Sequence, residues 1–279
     1  MRLSLVADLH IHTTASDGTY TPEEIVSLAR REGITTIAIT DHDSVDNVLS
    51  TMRVGAEQGV QVVSGIELST EMDLAELHLL GYGFSVDDPL LTDQLGYLRV
   101  ARLERIAKTV DLLAELGIHL DLEEVLALAG DGSPGRAHVA RLLVDKGYTS
   151  TIAEGFDRFL GHGQRAYVPR DRCHTIDAIR LIRRAGGVPV LAHPGLSAPG
   201  LSCLPELVKA GLMGLEVFYP QHSPEQKARF LELAAQYGLL VTGGSDCHGG
   251  GKDQRYFGSV RLPDHCVQCL LAAVPTHTT

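Results

Sequence analysis

The chain has 279 residues, 44% of them apolar, and a formal net charge of −11 from 24 basic and 35 acidic side chains. That length and composition can bury one large core, while the acidic balance excludes a global field drawing the protein onto nucleic acid. Tryptophan is absent and aromatic content is 5%, which argues against an extended stacking platform for single strands.

Leu3, Leu5 and Ala7 alternate with other residues as in a strand, which leads into Asp8-Leu9-His10-Ile11-His12. Residues two apart on a strand face the same way, so His10 and His12 point together. Taken alone, such a pair reads more readily as two hydrogen-bonded histidines on a half-buried strand. Pro22 after Thr21 opens a helix whose apolar face is Ile25, Val26, Leu28 and Ala29. A second strand, residues 36–40, ends in Asp41-His42-Asp43 and is followed by an amphipathic run over 45–58. Residues 60–65 lead to Ile66-Glu67, and residues 76–82 form another alternating run that carries His78.

From about residue 89 the periodicity is helical without intervening strands, over 95–116, 122–129, 137–146 and 152–160. Glycine-containing turns such as 130–135 separate these runs. The strand and helix alternation then resumes. A helix over 176–185 precedes a strand over 188–192 that stops at His193-Pro194-Gly195. A helix over 205–210, a strand over 214–218 and a helix over 224–237 follow. The last strand, 239–242, runs through Gly243-Gly244-Ser245 into Asp246-Cys247-His248. Repeats of this kind argue an α/β fold, a right-handed (β/α) barrel whose strand ends converge on one face. Residues 1–88 and 164–279 are assigned to the barrel, and residues 89–163 to a helical insertion after the fifth strand that caps the face carrying the ligands.

Apolar runs that stop at ligand-type side chains recur too often for chance. The series His10-x-His12, Asp17 in Ser-Asp-Gly, Thr40-Asp41-His42, Gly65-Ile66-Glu67, His78, His193-Pro194 and Gly244-Ser245-Asp246-Cys247-His248 resembles the motif set of the PHP (polymerase and histidinol phosphatase) phosphoesterases. Within them the chain is most similar to small bacterial phosphatases acting on nucleoside 3′,5′-bisphosphates, some of which trim short RNA from its 5′ end. The resemblance implies a distorted seven-stranded (β/α) barrel with a trinuclear metal centre. It puts His10, His12, Glu67 and Asp246 on one ion, Glu67, His78 and His193 on a second with Glu67 bridging, and Asp17, His42 and His248 on the third.

Mixed imidazole and carboxylate ligands suit Mn, with Fe, Zn or Mg as alternatives, and two to three divalent ions are expected. A bridged pair of cations lowers the pKa of a shared water and neutralises phosphoryl charge, so no side-chain nucleophile is required. Asp41 and Asp43 read equally well as acceptors for imidazole N–H groups and as a helix cap and turn acceptor. His222, after the strand over 214–218, is a candidate proton donor to the leaving group or contact for the scissile phosphate, and is grouped with Asp246 as catalytic. His119, His162, His174, His265 and His277 lack partner motifs and are read as surface or capping residues. Gly249-Gly250-Gly251 reads either as a site of close ligand approach or as a simple turn.

The insertion carries Arg99, Arg102 and Arg105 at three-residue spacing, with Arg136 and His138 after the glycine-rich turn. Such side chains lie within about a turn of one another, and guanidinium forks suit phosphate. By the resemblance they hold the phosphate that is not cleaved; the alternative is a solvated helix face partnered by Glu104 and Asp111. Arg165 and Tyr167 are weaker candidates, and Arg141 and Lys146 are read as solvent-facing.

The expected activity is metal-dependent removal of the 3′-phosphate of a nucleoside 3′,5′-bisphosphate by a metal-bridging hydroxide, with short 5′-phosphorylated RNA as a second substrate. Histidinol phosphatase is the enzymatic alternative, although cap arginines would repel its cationic substrate. A catalytically silent metal-binding interaction module is the other. No apolar run approaches a membrane span and Asp8 and His10 interrupt any leader-like segment, so no membrane partner and a cytoplasmic location are expected. The five cysteines are odd in number and unpatterned, and Cys266-x-x-Cys269 is read as helix packing.

Overall fold

The computed structural model describes residues 6–73, 75–130, 134–169, 172–196, 201–250 and 256–275. Leu3, Leu5, Gly132, Gly251 and His277 fall outside them, so the expectations resting on those residues are left where they stand. Two compact units make up the chain, residues 1–93 with 172–279, and residues 94–171.

The strands are β1 (Ala7–Ile11), β2 (Thr36–Ile39), β3 (Gln61–Met72), β4 (Ala75–Tyr82), β5 (Cys173–His174), β6 (Val188–Leu191), β7 (Gly214–Phe218) and β8 (Leu240–Gly243). The helices are α1 (Pro22–Arg31), α2 (Val48–Gln58), α3 (Pro89–Glu115), α4 (Leu122–Ala129), α5 (Arg136–Asp145), α6 (Ile152–Gly155), α7 (Thr175–Arg184), α8 (Leu204–Ala210), α9 (Pro224–Tyr237) and α10 (Asp264–Ala273). α6 runs on into a π-helical turn, Phe156–Leu160. None of the described helices is long and apolar enough to cross a membrane.

The first unit is an α/β structure around one mixed sheet. Seven strands follow the path β1-β2-β3-β4-β6-β7-β8, with β5 paired to β3 off that path. The segment after β8 returns to β1: His12 N–H donates to Cys247 O at 2.9 Å and Asp246 N–H to His10 O at 2.8 Å. A distorted seven-stranded barrel path is therefore present, but its strands are not all parallel. β4 runs antiparallel to both β3 and β6. Only two residues separate β3 from β4, enough for a hairpin and far too few for the crossover that a parallel partner requires. It is therefore the beginning of β4, not its end, that lies beside the end of β3. Two further expectations shift with this. β3 continues through Glu67 to Met72, so Glu67 is inside a strand. The helical insertion follows the fourth strand, not the fifth.

All five residues of β1 and all four of β2 and β6 are buried, as expected for strands covered on both faces. Ala7, Leu9, Ala38, Val63, Leu80, Tyr82, Val188, Val190 and α10 residues Cys266, Val267 and Leu270 form one apolar cluster. A second joins Ile11, Ile37 and Ile39 to Ile25, Val26 and Ala29 of α1. α1 begins with a capping box in which Thr21 and Glu24 each accept from the other's backbone N–H. Cys266 packs in the core as read from its sequence, and all five cysteines are free.

Close backbone approaches explain two glycines. A Cβ on Gly65 would lie 2.4 Å from Ile39 O, and one on Gly244 would lie 2.3 Å from both His10 N and His10 Cβ.

The second unit spans 94–171, where the sequence placed an insertion over 89–163. Its core is Ile106, Val110, Leu113, Val125, Val139, Leu143 and Leu160. Arg105, buried, donates from Nε to Val168 O at 2.9 Å. Arg136 donates to Leu160 O at 3.0 Å and lies over the rings of Phe156 and Tyr167.

Two glycine substitutions should move stability in opposite directions. Gly244→Ala should destabilise by about 1–3 kcal/mol, because β1 must shift to admit the methyl group. Gly96→Ala, inside α3 with open space around the added carbon, should stabilise by about 0.5–1 kcal/mol. Urea unfolding of the two variants reads both.

Candidate metal centre

Glu67 sits near the centre of the cluster with 1% exposure. Its Oε2 lies 3.2 Å from His10 Nε2, 3.1 Å from His12 Nε2 and 3.2 Å from His42 Nδ1. Its Oε1 lies 2.8 Å from His78 Nδ1 and 3.0 Å from His193 Nε2. Asp246 Oδ1 closes the first set at 3.4 Å from His10 Nε2 and 3.0 Å from His12 Nε2. Asp17 lies on the other side, 3.4 Å from His248 Nε2, 3.7 Å from His12 Nδ1 and 4.0 Å from His42 Nε2.

Three groups of ligand-type atoms thus lie within 4.8 Å of one another: His10, His12, Glu67 and Asp246; His12, Asp17, His42 and His248; and His42, Glu67 and His78. All nine residues singled out in the sequence are brought together. The geometry also draws His12 towards the Asp17 group and His42 towards the Glu67–His78 pair, while His193 joins through Glu67 Oε1.

Each element contributes according to its end. β1 carries His10 and the turn after it carries Asp17, β3 carries Glu67, and the reversed β4 carries His78 in its first half. His42, His193, Asp246 and His248 follow the ends of β2, β6 and β8. Asp43, His193 and Asp246 hold positive φ values of 51°, 25° and 54°, a conformation that non-glycine residues keep only when their surroundings impose it.

The atoms at the centre fit cations. His10 Nε2, both ring nitrogens of His12, His42 Nδ1 and Glu67 Oε2 are buried without a hydrogen-bond partner. Buried polar atoms are ordinarily satisfied, so lone pairs converging in this way match a site for divalent ions. The mixed N and O donor set suits first-row transition metals.

Charge is strongly coupled across the cluster. Burial opposes a charge on Glu67, yet the imidazoles of His42, His10 and His78 hold its carboxyl well below the usual range. Burial likewise opposes protonation of His12, but Asp246 and Glu67 push it up to about 10. His78 is raised to about 9 by Glu67 and Glu76 against burial. His42 goes the other way, down to about 3, because burial and the neighbouring His12 and His78 outweigh Glu67 and Asp17.

A surrounding layer orients these ligands, and part of it escaped the sequence reading. Glu216, fully buried on β7, bonds His10 Nδ1 at 3.0 Å and accepts from His193 N–H at 2.7 Å. It thereby directs His10 Nε2 inward. A lone acid within the apolar run Leu215-Glu216-Val217 was the signal available. Tyr219 Oη donates to Asp246 Oδ2 at 3.0 Å. Asp8 accepts from the N–H groups of Ser245 and Gly258 at 2.8 and 3.2 Å.

Neither sequence reading of Asp41 holds. Its carboxylate accepts from Thr13 N–H, Thr13 Oγ1 and Ser16 Oγ at 2.6–2.7 Å, which ties down the turn bearing Asp17. Asp43 Oδ1 accepts from Ser69 N–H at 2.9 Å. α2 begins at Val48 with Asn47 as its cap residue.

His222 is buried, with Nδ1 at 2.9 Å from Val217 O and Nε2 accepting from Gly195 N–H at 3.1 Å. Both ring nitrogens of this neutral imidazole are engaged by backbone, so it positions Gly195 and is not arranged as a proton donor. Burial lowers its pKa, in keeping with that state. In the second unit, His138 Nδ1 accepts from Gly135 N–H at the start of α5. Arg99 is exposed and Arg102 half-buried on α3, whereas Arg105 and Arg136 bond backbone carbonyls. Arg165 is exposed, Arg141 pairs with Asp145 and Lys146 with Glu124.

Known proteins are similar to this chain along most of its length. The 5′-3′ exoribonuclease Rnm of Escherichia coli is 35% identical over 88% of this chain and 86% of its own. A phosphoribosyl 1,2-cyclic phosphate 1,2-diphosphodiesterase of Eggerthella lenta is 35% identical over 88% and 95%. A 3′,5′-nucleoside bisphosphate phosphatase of Chromobacterium violaceum is 31% identical over 93% of each. Among solved structures, a Bifidobacterium adolescentis protein assigned as a metal-dependent phosphoesterase superposes with a TM-score of 0.88 at 30% identity, covering 99% of this chain and 98% of its own. The sequence profile of the PHP domain matches residues 8–169, and with these relatives it places the chain in the PHP domain family.

Proposed function

We propose that this chain, a phosphoric ester hydrolase of the PHP domain family, removes the 3′-phosphate of nucleoside 3′,5′-bisphosphates and takes short 5′-phosphorylated RNA as a second substrate. The observation that carries the reading is Glu67, whose two oxygens face separate sets of imidazoles. His10, His12, Glu67 and Asp246 would hold one divalent ion, Glu67, His78 and His193 a second, and Asp17, His42 and His248 a third, with Mn as the proposed metal and Fe or Zn fitting the same mixed donor set. Such ions neutralise charge on a phosphoryl group and make water acidic enough to react near neutral pH.

The protein's own groups do the positioning. Glu216 fixes the ring of His10, and Tyr219 engages Asp246 Oδ2 while Oδ1 faces the imidazoles. A substrate with two phosphates needs cations beyond this cluster, and Arg99 and Arg102 of α3 are proposed for that role. Arg105, Arg136 and His138 support them by holding the helical unit together. The free cysteines suit a cytoplasmic protein. Relatives that act on a bisphosphate, on RNA and on a cyclic diester make the choice of ester the question to test.

Glu67→Gln should lose at least one metal per chain, measured by elemental analysis, and most of its turnover, because ligand loss removes both charge and geometry. Glu216→Gln should weaken metal affinity by about 10–100-fold. Full metal content in the Glu67 variant would overturn the bridging assignment.

Alanine at Asp17, His42 or His248 should produce one shared defect in occupancy, visible by anomalous scattering, with the ions at His10 and His78 retained. Three unrelated defects would break the grouping.

Adenosine 3′,5′-bisphosphate should exceed 3′-AMP, 5′-AMP and a 1,2-cyclic phosphate diester in kcat/KM. Replacing Arg99 or Arg102 by Ala should reduce that preference by roughly ten- to a hundredfold, the equivalent of about 1.5–3 kcal/mol for a charge-assisted contact. Equal efficiency on all four esters would defeat the bisphosphate reading.

A further inference from the structure

A cavity of about 660 Å³ opens in the first unit. It is lined by Phe218, Tyr219 and Pro220 after β7, by Lys227 of α9, and by Tyr256 and Arg261 among the residues before α10. Among the described residues its walls contain two cations, two tyrosines and no carboxylate, in a chain of net charge −11.

Six of the described arginines are already paired with acids. Arg31, Arg141, Arg158, Arg172, Arg180 and Arg229 each lie within 4.0 Å of an acid. Among the described residues, Lys227 and Arg261 have no carboxylate partner. Two unneutralised cations on one concave wall raise the local concentration of anions. Phenol rings beside them offer faces on which a planar ring stacks.

The cavity is connected to the metal centre through one side chain. Tyr219 lines it, donates its hydroxyl to Asp246 Oδ2 at 3.0 Å, and has its ring 5.4 Å from that of His193. The segment that contributes Tyr256 and Arg261 is also anchored, since Gly258 N–H donates to Asp8 Oδ2 at 3.2 Å. Both walls are therefore tied to strands that carry metal-ligand residues.

We infer that the cavity between Tyr219, Lys227, Tyr256 and Arg261 is a nucleotide subsite that binds a phosphate group with its attached base, next to the centre where the ester is cleaved. It rests on the phosphoesterase reading for its purpose, but not for its existence as an anion site. The bound phosphate has two sources: a backbone phosphate of a short oligonucleotide, with the second phosphate of a bisphosphate left to Arg99 and Arg102, or that second phosphate itself, in which case Lys227 and Arg261 hold it in place of Arg99 and Arg102.

Calorimetry on the metal-reconstituted full chain with 5′-AMP, adenosine and inorganic phosphate tests it. The intact protein should bind 5′-AMP more tightly than either fragment. Lys227→Ala and Arg261→Ala should each weaken 5′-AMP binding about tenfold, and the loss should shrink at high salt. Arg261→Lys should restore part of it, and Arg229→Ala, on α9 but paired with Glu232, should bind as the parent does. Neither Lys227 nor Arg261 is buried, and a urea melt verifies that the variants are folded.

KM for adenosine 3′,5′-bisphosphate and for a 5′-phosphorylated trinucleotide then separates the sources. A rise for both in the Lys227 and Arg261 variants identifies the second phosphate of the mononucleotide, and a rise for the trinucleotide alone identifies a backbone phosphate. Unchanged 5′-AMP affinity in both alanine variants overturns the subsite. If the parent enzyme releases phosphate from no ester, the functional reading fails, and the 5′-AMP titrations still decide the subsite by themselves.

Discussion

A carboxylate with almost no access to solvent lies among five imidazoles, and the arrangement of the first unit depends on it. An isolated buried charge costs several kcal/mol. Glu67 avoids that penalty because His10, His12 and His42 surround one of its oxygens and His78 and His193 the other. The same imidazoles would be costly to bury as cations without it. Each side of the cluster therefore makes the other tolerable, and divalent ions can replace the protons that the imidazoles otherwise hold.

The strand pattern follows from the need to bring these side chains together. A regular parallel barrel delivers ligands only from strand ends. Here the hairpin of β3 and β4 places Glu67 inside one strand and His78 in the first half of the next, so two adjacent strands contribute to the same side of the cluster. Three of the four described non-glycine residues with positive φ, Asp43, His193 and Asp246, are in or beside the site, and the fourth, Asp73, makes the turn between β3 and β4. Buried acids outside the ligand set hold the site's backbone in place: Asp8 fastens the Ser245 segment, Asp41 the Thr13–Ser16 turn, and Glu216 both His10 and the backbone of His193.

The protein is acidic overall, so anionic substrates must be attracted by local groups. Arg105 and Arg136 bond carbonyls in the helical unit and keep its helices in register. Lys227 and Arg261 are differently placed, on a concave wall shared with Tyr219. The contrast shows why a run of arginines is weak evidence for a binding face: a guanidinium satisfies a buried carbonyl as readily as a phosphate.

Much of the metal centre was legible in the sequence, because its signal is local. An apolar strand that stops at His10-x-His12, at His42, or at Asp246-x-His248 points to a ligand-type side chain at a strand end, and the nine residues of the family resemblance do converge. Helix positions were legible for the same reason, since periodicity and a start signal such as Thr21-Pro22 act within a few residues. The direction of β4, the extension of β3 past Glu67 and the roles of Asp41, His222 and Glu216 were not. Each is set by a partner far along the chain: Glu216 meets His10 across 206 residues, and Asp8 meets Ser245 across 237. Residue type and the family resemblance thus picked out the side chains that converge as candidate ligands, while long-range packing and hydrogen bonding decided how each one is aimed, because an orientation depends on groups that only folding brings near.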